Sequence, residues 1–152
     1  APTNSWIMGM HLESLGVRME RHCANALKVA QWLSADPRIS WVSFPGLEED
    51  KYHALAEKYM PNGTCGVISF GVPGGREKVS AFLDHLKMVS IATHVADARS
   101  CTLYPAGTTH RQLTEEQLVE AGVGIDLVRL SCGIENADDI ITDLDQALAA
   151  VQ

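Results

Sequence analysis

What this chain has little of narrows its class before any motif is read. No apolar run approaches the roughly 18 to 20 residues that a bilayer core demands, so no membrane-spanning helix is expected. Lysine and arginine number 12 against 19 aspartates and glutamates, a net charge of −7 at pH 7. With no cluster of basic side chains to offset that acidity, a nucleic-acid backbone is a poor partner. The cysteines, Cys23, Cys65, Cys101 and Cys132, are scattered, without a C-x-x-C pair or a short Cys/His spacing. That pattern speaks against a disulfide framework and reads as reduced, mostly buried thiols in a cytoplasmic protein. A metal site built from Cys101, Cys132, His94 and His110 lacks the paired spacing of zinc ligands, so no metal is expected. The glycine-rich turn Gly71-Val72-Pro73-Gly74-Gly75 has neither the G-x-x-x-x-G-K-S/T nor the G-x-G-x-x-G spacing, which argues against a phosphate cradle.

What is present describes one ordinary globular domain. The 152 residues are 46% hydrophobic and 20% charged, and a domain of this length buries roughly 68–70% of its unfolded surface, enough to need no staples. The chain opens Ala1-Pro2 rather than with methionine, so a processed protein or a piece of a longer one is expected.

Periodicity then predicts the elements. Met8, Leu12, Leu15, Met19, Cys23, Ala26, Ala30 and Leu33 recur in steps of three and four, predicting one long amphipathic helix over 5–35, capped by Asn4 or Ser5 and ended by Asp36-Pro37. Met8, Met10 and Met19 read as core filler. His11 and His22 lie about 16 Å apart along such a helix, too far to share a metal. Strands are expected at 39–44, 66–72, 88–92 and 100–104, and helices at 50–60 and 76–86. Thr114 with Gln117 forms a capping box for a short helix closed by Gly122, and Asn136 or Asp138 caps a final helix with Ile140, Ile141, Leu144, Leu148 and Val151 inward. The polar loop Pro105 to Arg111 reads equally well as a functional loop or a solvated connector.

One residue breaks the pattern. Arg129 sits inside the apolar run Leu127-Val128-Arg129-Leu130-Ser131-Cys132, and strand alternation puts Leu127, Arg129 and Ser131 on one face and Val128, Leu130 and Cys132 on the other. A guanidinium is rarely buried unpaired, and its planar fork matches a carboxylate or phosphate, so an anion is expected beside it. The residues leave two sources open: a structural ion pair with Glu135, Asp126 or Asp97, or a ligand.

A family resemblance runs through the chain in order. Ala1-Pro2-Thr3-Asn4-Ser5, Leu12-Glu13-Ser14-Leu15, Arg18-Met19-Glu20-Arg21-His22, Asn25 to Ala30, Pro45-Gly46-Leu47-Glu48, Gly66 to Val72, Thr108-Thr109-His110-Arg111-Gln112-Leu113 and Arg129 to Glu135 together resemble the cystathionine γ-synthase family of pyridoxal-phosphate (PLP) enzymes. The similarity is to the C-terminal domain, and most of all to the O-acetylhomoserine sulfhydrylase branch, through the Thr108 to Leu113 stretch and the segment from Tyr52 to Gly66. The resemblance implies an α+β fold, the small C-terminal domain of fold type I PLP transferases, with a mostly antiparallel sheet covered by helices. It implies that Arg129 clamps the α-carboxylate of an amino-acid substrate, and that His94 and Thr109 are also substrate-binding. His94-Val95-Ala96 stands where the family reads Asn-Val-Gly or Ser-Leu-Gly, so Ala96 replaces a glycine and substrate preference turns on this segment. Tyr104 stands where the family has histidine, and Gly107 where it has serine.

The family's chemistry also needs a Schiff-base lysine, an acid on the pyridine nitrogen, a stacking aromatic and a phosphate cup. None of these motifs occurs, and Lys28, Lys51, Lys58, Lys78 and Lys87 all fall in polar helical stretches. The resemblance therefore implies that residues 1–152 are a substrate-binding domain with no catalytic and no cofactor-binding residue of its own, and that PLP is held by an N-terminal domain upstream of Ala1. It further implies γ-replacement of acetate by sulfide or a thiol in methionine and cysteine biosynthesis, a cytoplasmic homo-oligomer, tetrameric in the family, and inactivity of the isolated chain. Alternatives are another member of the family, a cystathionine γ-synthase or a cystathionine or methionine γ-lyase, and a free-standing amino-acid-binding module without catalysis.

Overall fold

Two helices open the chain where the spacing predicts one. In the computed structural model, which describes residues 1–151, α1 (Pro2–Glu13) and α2 (Leu15–Ala35) are separated at Ser14, whose φ of −98° and ψ of 3° lie outside the helical well. Steps of three and four run straight through this break, so the spacing could not reveal it. Arg18 spans the joint, Nη2 donating to the His11 carbonyl at 2.7 Å. α1 buries nothing. Trp6, Ile7 and Met8 are consecutive and all exposed, and three consecutive residues point in three directions on a helix, so no single face collects the apolar side chains. Met8 and Met10 are 69% and 50% exposed and do not fill a core; Met19 is half-buried. α2 is amphipathic, as expected, and turns Ala26, Val29, Ala30 and Leu33 inward. Each fully buried Val or Leu of this kind contributes about 1.5–3 kcal/mol.

The remaining elements are β1 (Trp41–Ser43), α3 (His53–Tyr59), β2 (Val67–Gly71), α4 (Gly75–Asp84), β3 (Ser90–Ile91), β4 (Cys101–Leu103), α5 (Glu115–Glu120), β5 (Leu127–Ser131) and α6 (Ala137–Ala149), with a 3-10 turn at Pro105–Gly107 after β4. Each expected strand and helix forms, most of them shortened at the ends. The capping box holds: the Thr114 amide donates to Gln117 Oε1 at 2.9 Å and the Gln117 amide to Thr114 Oγ1 at 3.3 Å. Asn136 caps α6, accepting from the Asp138 amide.

The strands form one sheet in the order β1-β2-β5-β4-β3. Three junctions are antiparallel and only β3–β4 is parallel, so the mostly antiparallel sheet is observed. Helices α2, α4 and α6 cover one face. There Ile68, Phe70, Val128 and Leu130 from the central strands meet Val29 and Leu33, Phe82, and Ile140, Leu144 and Leu148 in a single cluster. Phe70 and Phe82 pack edge to face with centroids 6.3 Å apart. The opposite face follows from the register. Ser43, Ser69, Arg129 and Leu103 stand opposite one another across β1, β2, β5 and β4. Ser43 is exposed and Ser69, Arg129, Val67 and Leu127 are half-buried, whereas Cys101, Leu103 and Ser131 are buried, so this face is open over β1, β2 and the first part of β5 and covered toward β4.

Candidate functional site

Arg129 rises from the middle of that open face. Its position is fixed by two flanking strands, since Ser69 lies opposite it on β2 and Leu103 opposite it on β4. The three carboxylates that could pair with Arg129 all have other partners. Glu135 accepts from the Ser100 amide at 2.6 Å and from the Ser100 hydroxyl at 3.0 Å. Asp126 accepts from Trp41 Nε1 at 2.9 Å and from the Ser40 hydroxyl at 3.2 Å. Asp97 accepts from the Arg99 amide at 3.0 Å, and this bond holds its carboxyl below the usual range. Among the described residues no carboxylate lies within ion-pair distance of Arg129. Its hydrogen bond runs from Nη2 to the Thr93 carbonyl at 3.0 Å. A guanidinium carries five N–H donors, so the fork keeps enough to take a carboxylate side-on.

The carbonyl that steadies Arg129 belongs to a loop whose backbone is tied down at several points. The Cys101 thiol donates to the His94 carbonyl at 3.0 Å, the Ala96 amide to the Ser131 hydroxyl at 3.1 Å, and the Ile134 amide to the Ala98 carbonyl at 2.9 Å. Burial pushes the Cys101 thiol pKa up, and nearby Asp97 adds to this. Ala96 has φ of 57°, the one left-handed non-glycine residue described, at the position where the resemblance expects glycine. A Cβ there costs on the order of 1–2 kcal/mol, which the surrounding bonds must offset.

Behind the loop, α2 holds the chain that leaves β5. His22 Nδ1 donates to the Cys132 carbonyl at 2.6 Å, and Asn25 Nδ2 to the Gly133 and Glu135 carbonyls at 2.9 and 2.7 Å. The Ser100 hydroxyl also accepts from the Gly133 amide at 2.8 Å. Sequence reasoning does not single out Ser131, Ser100, Glu135, His22 and Asn25 as site residues. The apolar pattern carries no signal for them, since it puts Ser131 on the face away from the core and none of the others among the periodic apolar positions.

Of the expected substrate contacts, Arg129 and His94 fall close together, because the Arg129 guanidinium binds the carbonyl of the residue before His94. The His94 side chain is exposed. Thr109 stands beyond the 3-10 turn, exposed, its hydroxyl paired with His110 Nδ1 at 2.9 Å, and no hydrogen bond joins it to Arg129 among the described residues. Clefts of several hundred Å³ lie elsewhere. One of about 540 Å³ runs between α2 and α3, lined by Cys23, Leu27, Phe44, Ala56 and Met60, and it contains none of the expected site residues.

The five lysines lie at separate points of the fold. Lys28 pairs with Asp138 at 2.6 Å, Lys51 and Lys58 lie over the neighbouring rings of Tyr52 and Tyr59, Lys87 is exposed and Lys78 half-buried.

The chain has counterparts among known proteins. Residues 1–149 match the family model described as Cys/Met metabolism PLP-dependent enzyme. An O-acetyl-L-homoserine sulfhydrylase of Leptospira meyeri is 46% identical over 97% of this chain and 34% of its own length. A homocysteine synthase of Schizosaccharomyces pombe is 45% identical over 97% of this chain and 34% of its own length. A crystal structure from Campylobacter jejuni, described as an O-acetylhomoserine (thiol)-lyase with N'-pyridoxyl-lysine-5'-monophosphate, superposes with a TM-score of 0.90 at 41% identity, over 98% of this chain and 35% of that one. The chain thus spans about a third of the length of the curated relatives it matches. With the family model covering all but the last few residues, this chain belongs to the Cys/Met metabolism PLP-dependent enzyme family.

Proposed function

We propose that the chain is the C-terminal, carboxylate-binding domain of a PLP-dependent O-acetylhomoserine sulfhydrylase. In that reaction the Cγ–O bond of O-acetyl-L-homoserine breaks, acetate leaves, and sulfide or a thiol forms the Cγ–S bond. The observation that carries this reading is Arg129, a half-buried guanidinium on the open part of its sheet face with no carboxylate partner among the described residues. It takes the substrate's α-carboxylate side-on, and its part is positional, since holding one end of the amino acid orients the bonds that break. His94 and Thr109 are the further substrate contacts. The relatives' stated activities, at 45% and 46% identity over nearly the whole chain, support the choice of branch.

PLP supplies an electron sink when bound, and the groups that hold it lie in the part of the enzyme outside this chain, upstream of it. The disposition of the lysines supports this division. The same upstream part covers α1, whose Trp6, Ile7, Met8, Met10 and Leu12 are all exposed. The whole enzyme is a cytoplasmic homo-oligomer, a tetramer as in the family. The test is turnover by the full-length polypeptide loaded with PLP. Homocysteine and acetate formed from O-acetyl-L-homoserine and sulfide support the reading, and release of ammonia from cystathionine or methionine instead would move the protein to a lyase branch.

A further inference from the structure

The loop that holds Arg129 is itself under strain, and the bond that holds the loop comes from the same strand as Arg129. Ala96 adopts a left-handed conformation, which an L side chain resists. Its amide donates to the hydroxyl of Ser131, 2% exposed and on the same sheet face as Arg129. Three residues earlier in the loop, the Thr93 carbonyl receives Arg129 Nη2. Strand β5 therefore grips the loop at both ends, through the arginine at one point and the serine at the other.

We propose that Ser131 is a positioning residue for substrate binding. Its hydroxyl keeps Ala96 left-handed, the held loop presents the Thr93 carbonyl, and that carbonyl sets the plane of the Arg129 fork. Without the hydroxyl, Ala96 relaxes toward negative φ, the Thr93 carbonyl turns away, and the guanidinium loses its preset orientation. The inference rests on Arg129 being the carboxylate clamp, and it adds which residue aims the clamp.

The experiment uses the full-length protein loaded with PLP and L-norvaline, an amino acid with no γ leaving group, as the probe. Calorimetry gives its Kd, and hydrogen exchange reads the amides of residues 93–98. In Ser131→Ala, Kd rises about three- to tenfold, the size of one lost neutral hydrogen bond, and exchange at 93–98 accelerates. Adding Ala96→Gly restores most of the affinity, because glycine takes the left-handed conformation without the hydroxyl's help. A serine that served only stability would lower the melting temperature and leave Kd and loop exchange as in the parent, and that result overturns the proposal. So does a loss of affinity that Ala96→Gly fails to recover. Arg129→Ala separates the two readings: if it weakens binding while Ser131→Ala does not, only the positioning role falls. If Arg129→Ala binds as the parent does, clamp and positioning fall together.

Discussion

The carboxylate of Glu135 closes on Ser100 from two directions, taking the backbone amide at 2.6 Å and the side-chain hydroxyl at 3.0 Å. This acid, six residues beyond Arg129 in the chain, is thus spent on joining the end of β5 to the start of β4, and the guanidinium is left for another partner. Ser100 is fully buried, and its oxygen also receives the Gly133 amide at 2.8 Å.

Ser100→Ala tests this joint. It strands the Gly133 amide and one carboxylate oxygen in the interior, at about 1–3 kcal/mol for each group left unsatisfied. Chemical denaturation should show a lower midpoint with an unchanged slope. A midpoint equal to the parent's would mean that the joint carries no stability.

Ala96→Gly should stabilise the domain. Glycine removes the Cβ penalty at φ of 57°, an effect of about 1 kcal/mol reduced by the entropy glycine adds to the unfolded chain. For a chain of this length that is a rise in Tm of at most roughly 2–4 °C. A lower Tm would show that the left-handed backbone is not strained.

Gly107 and Tyr104, where the resemblance expects serine and histidine, meet each other in the structure. A Cβ on Gly107 would fall 2.5 Å from the Tyr104 ring, which is buried and anchored by its hydroxyl donating to the Ile125 carbonyl at 2.8 Å. Gly107→Ser alone should cost about 1–3 kcal/mol, the usual range for overpacking. Combined with Tyr104→His it should cost less than the two single changes added together. Additive costs in a double-mutant cycle would refute the coupling.

Asp143 gives the domain an acid-sensitive anchor. Burial pushes its carboxyl pKa up, but the amides of Val89, Lys87 and Met88, at 2.8, 2.9 and 2.9 Å, together with Gln146, outweigh burial and hold it below the ordinary value. A depressed folded-state pKa contributes stability that is present above the unfolded value of about 3.9 and is lost as pH falls through the folded one. Acid titration of stability should show this loss in the parent and a flatter profile in Asp143→Asn. Parallel profiles would contradict it.

How much of this was legible in the sequence follows from which contacts are periodic. α2, β2, β5 and α6 were readable because burial on one face writes a period of 3.6 or 2 into the residues, and the same alternation put Arg129 opposite the core. The break at Ser14 was not, because apolar spacing continues across it while α1 packs its apolar residues against no surface of this domain. The parallel β3–β4 junction rests on two residue pairs, too few to leave a pattern. The loop of residues 93–98 was invisible as a scaffold because it is held through its main chain, where any side chain serves. Only Ala96, read against an expected glycine, hinted at its conformation.

The most direct test of the account crosses two changes in the full-length, PLP-loaded enzyme: the parent against Arg129→Ala, and O-acetyl-L-homoserine against its α-carboxamide. The parent should prefer the carboxylate strongly, and Arg129→Ala should lower kcat/KM for it by the equivalent of about 2–5 kcal/mol, the cost of removing one partner of a desolvated charge pair. The same variant should treat the carboxamide almost as the parent does, so that the preference collapses. If Arg129→Ala leaves the carboxylate-to-carboxamide ratio of kcat/KM where it stands in the parent, the guanidinium does not hold the substrate's acid group.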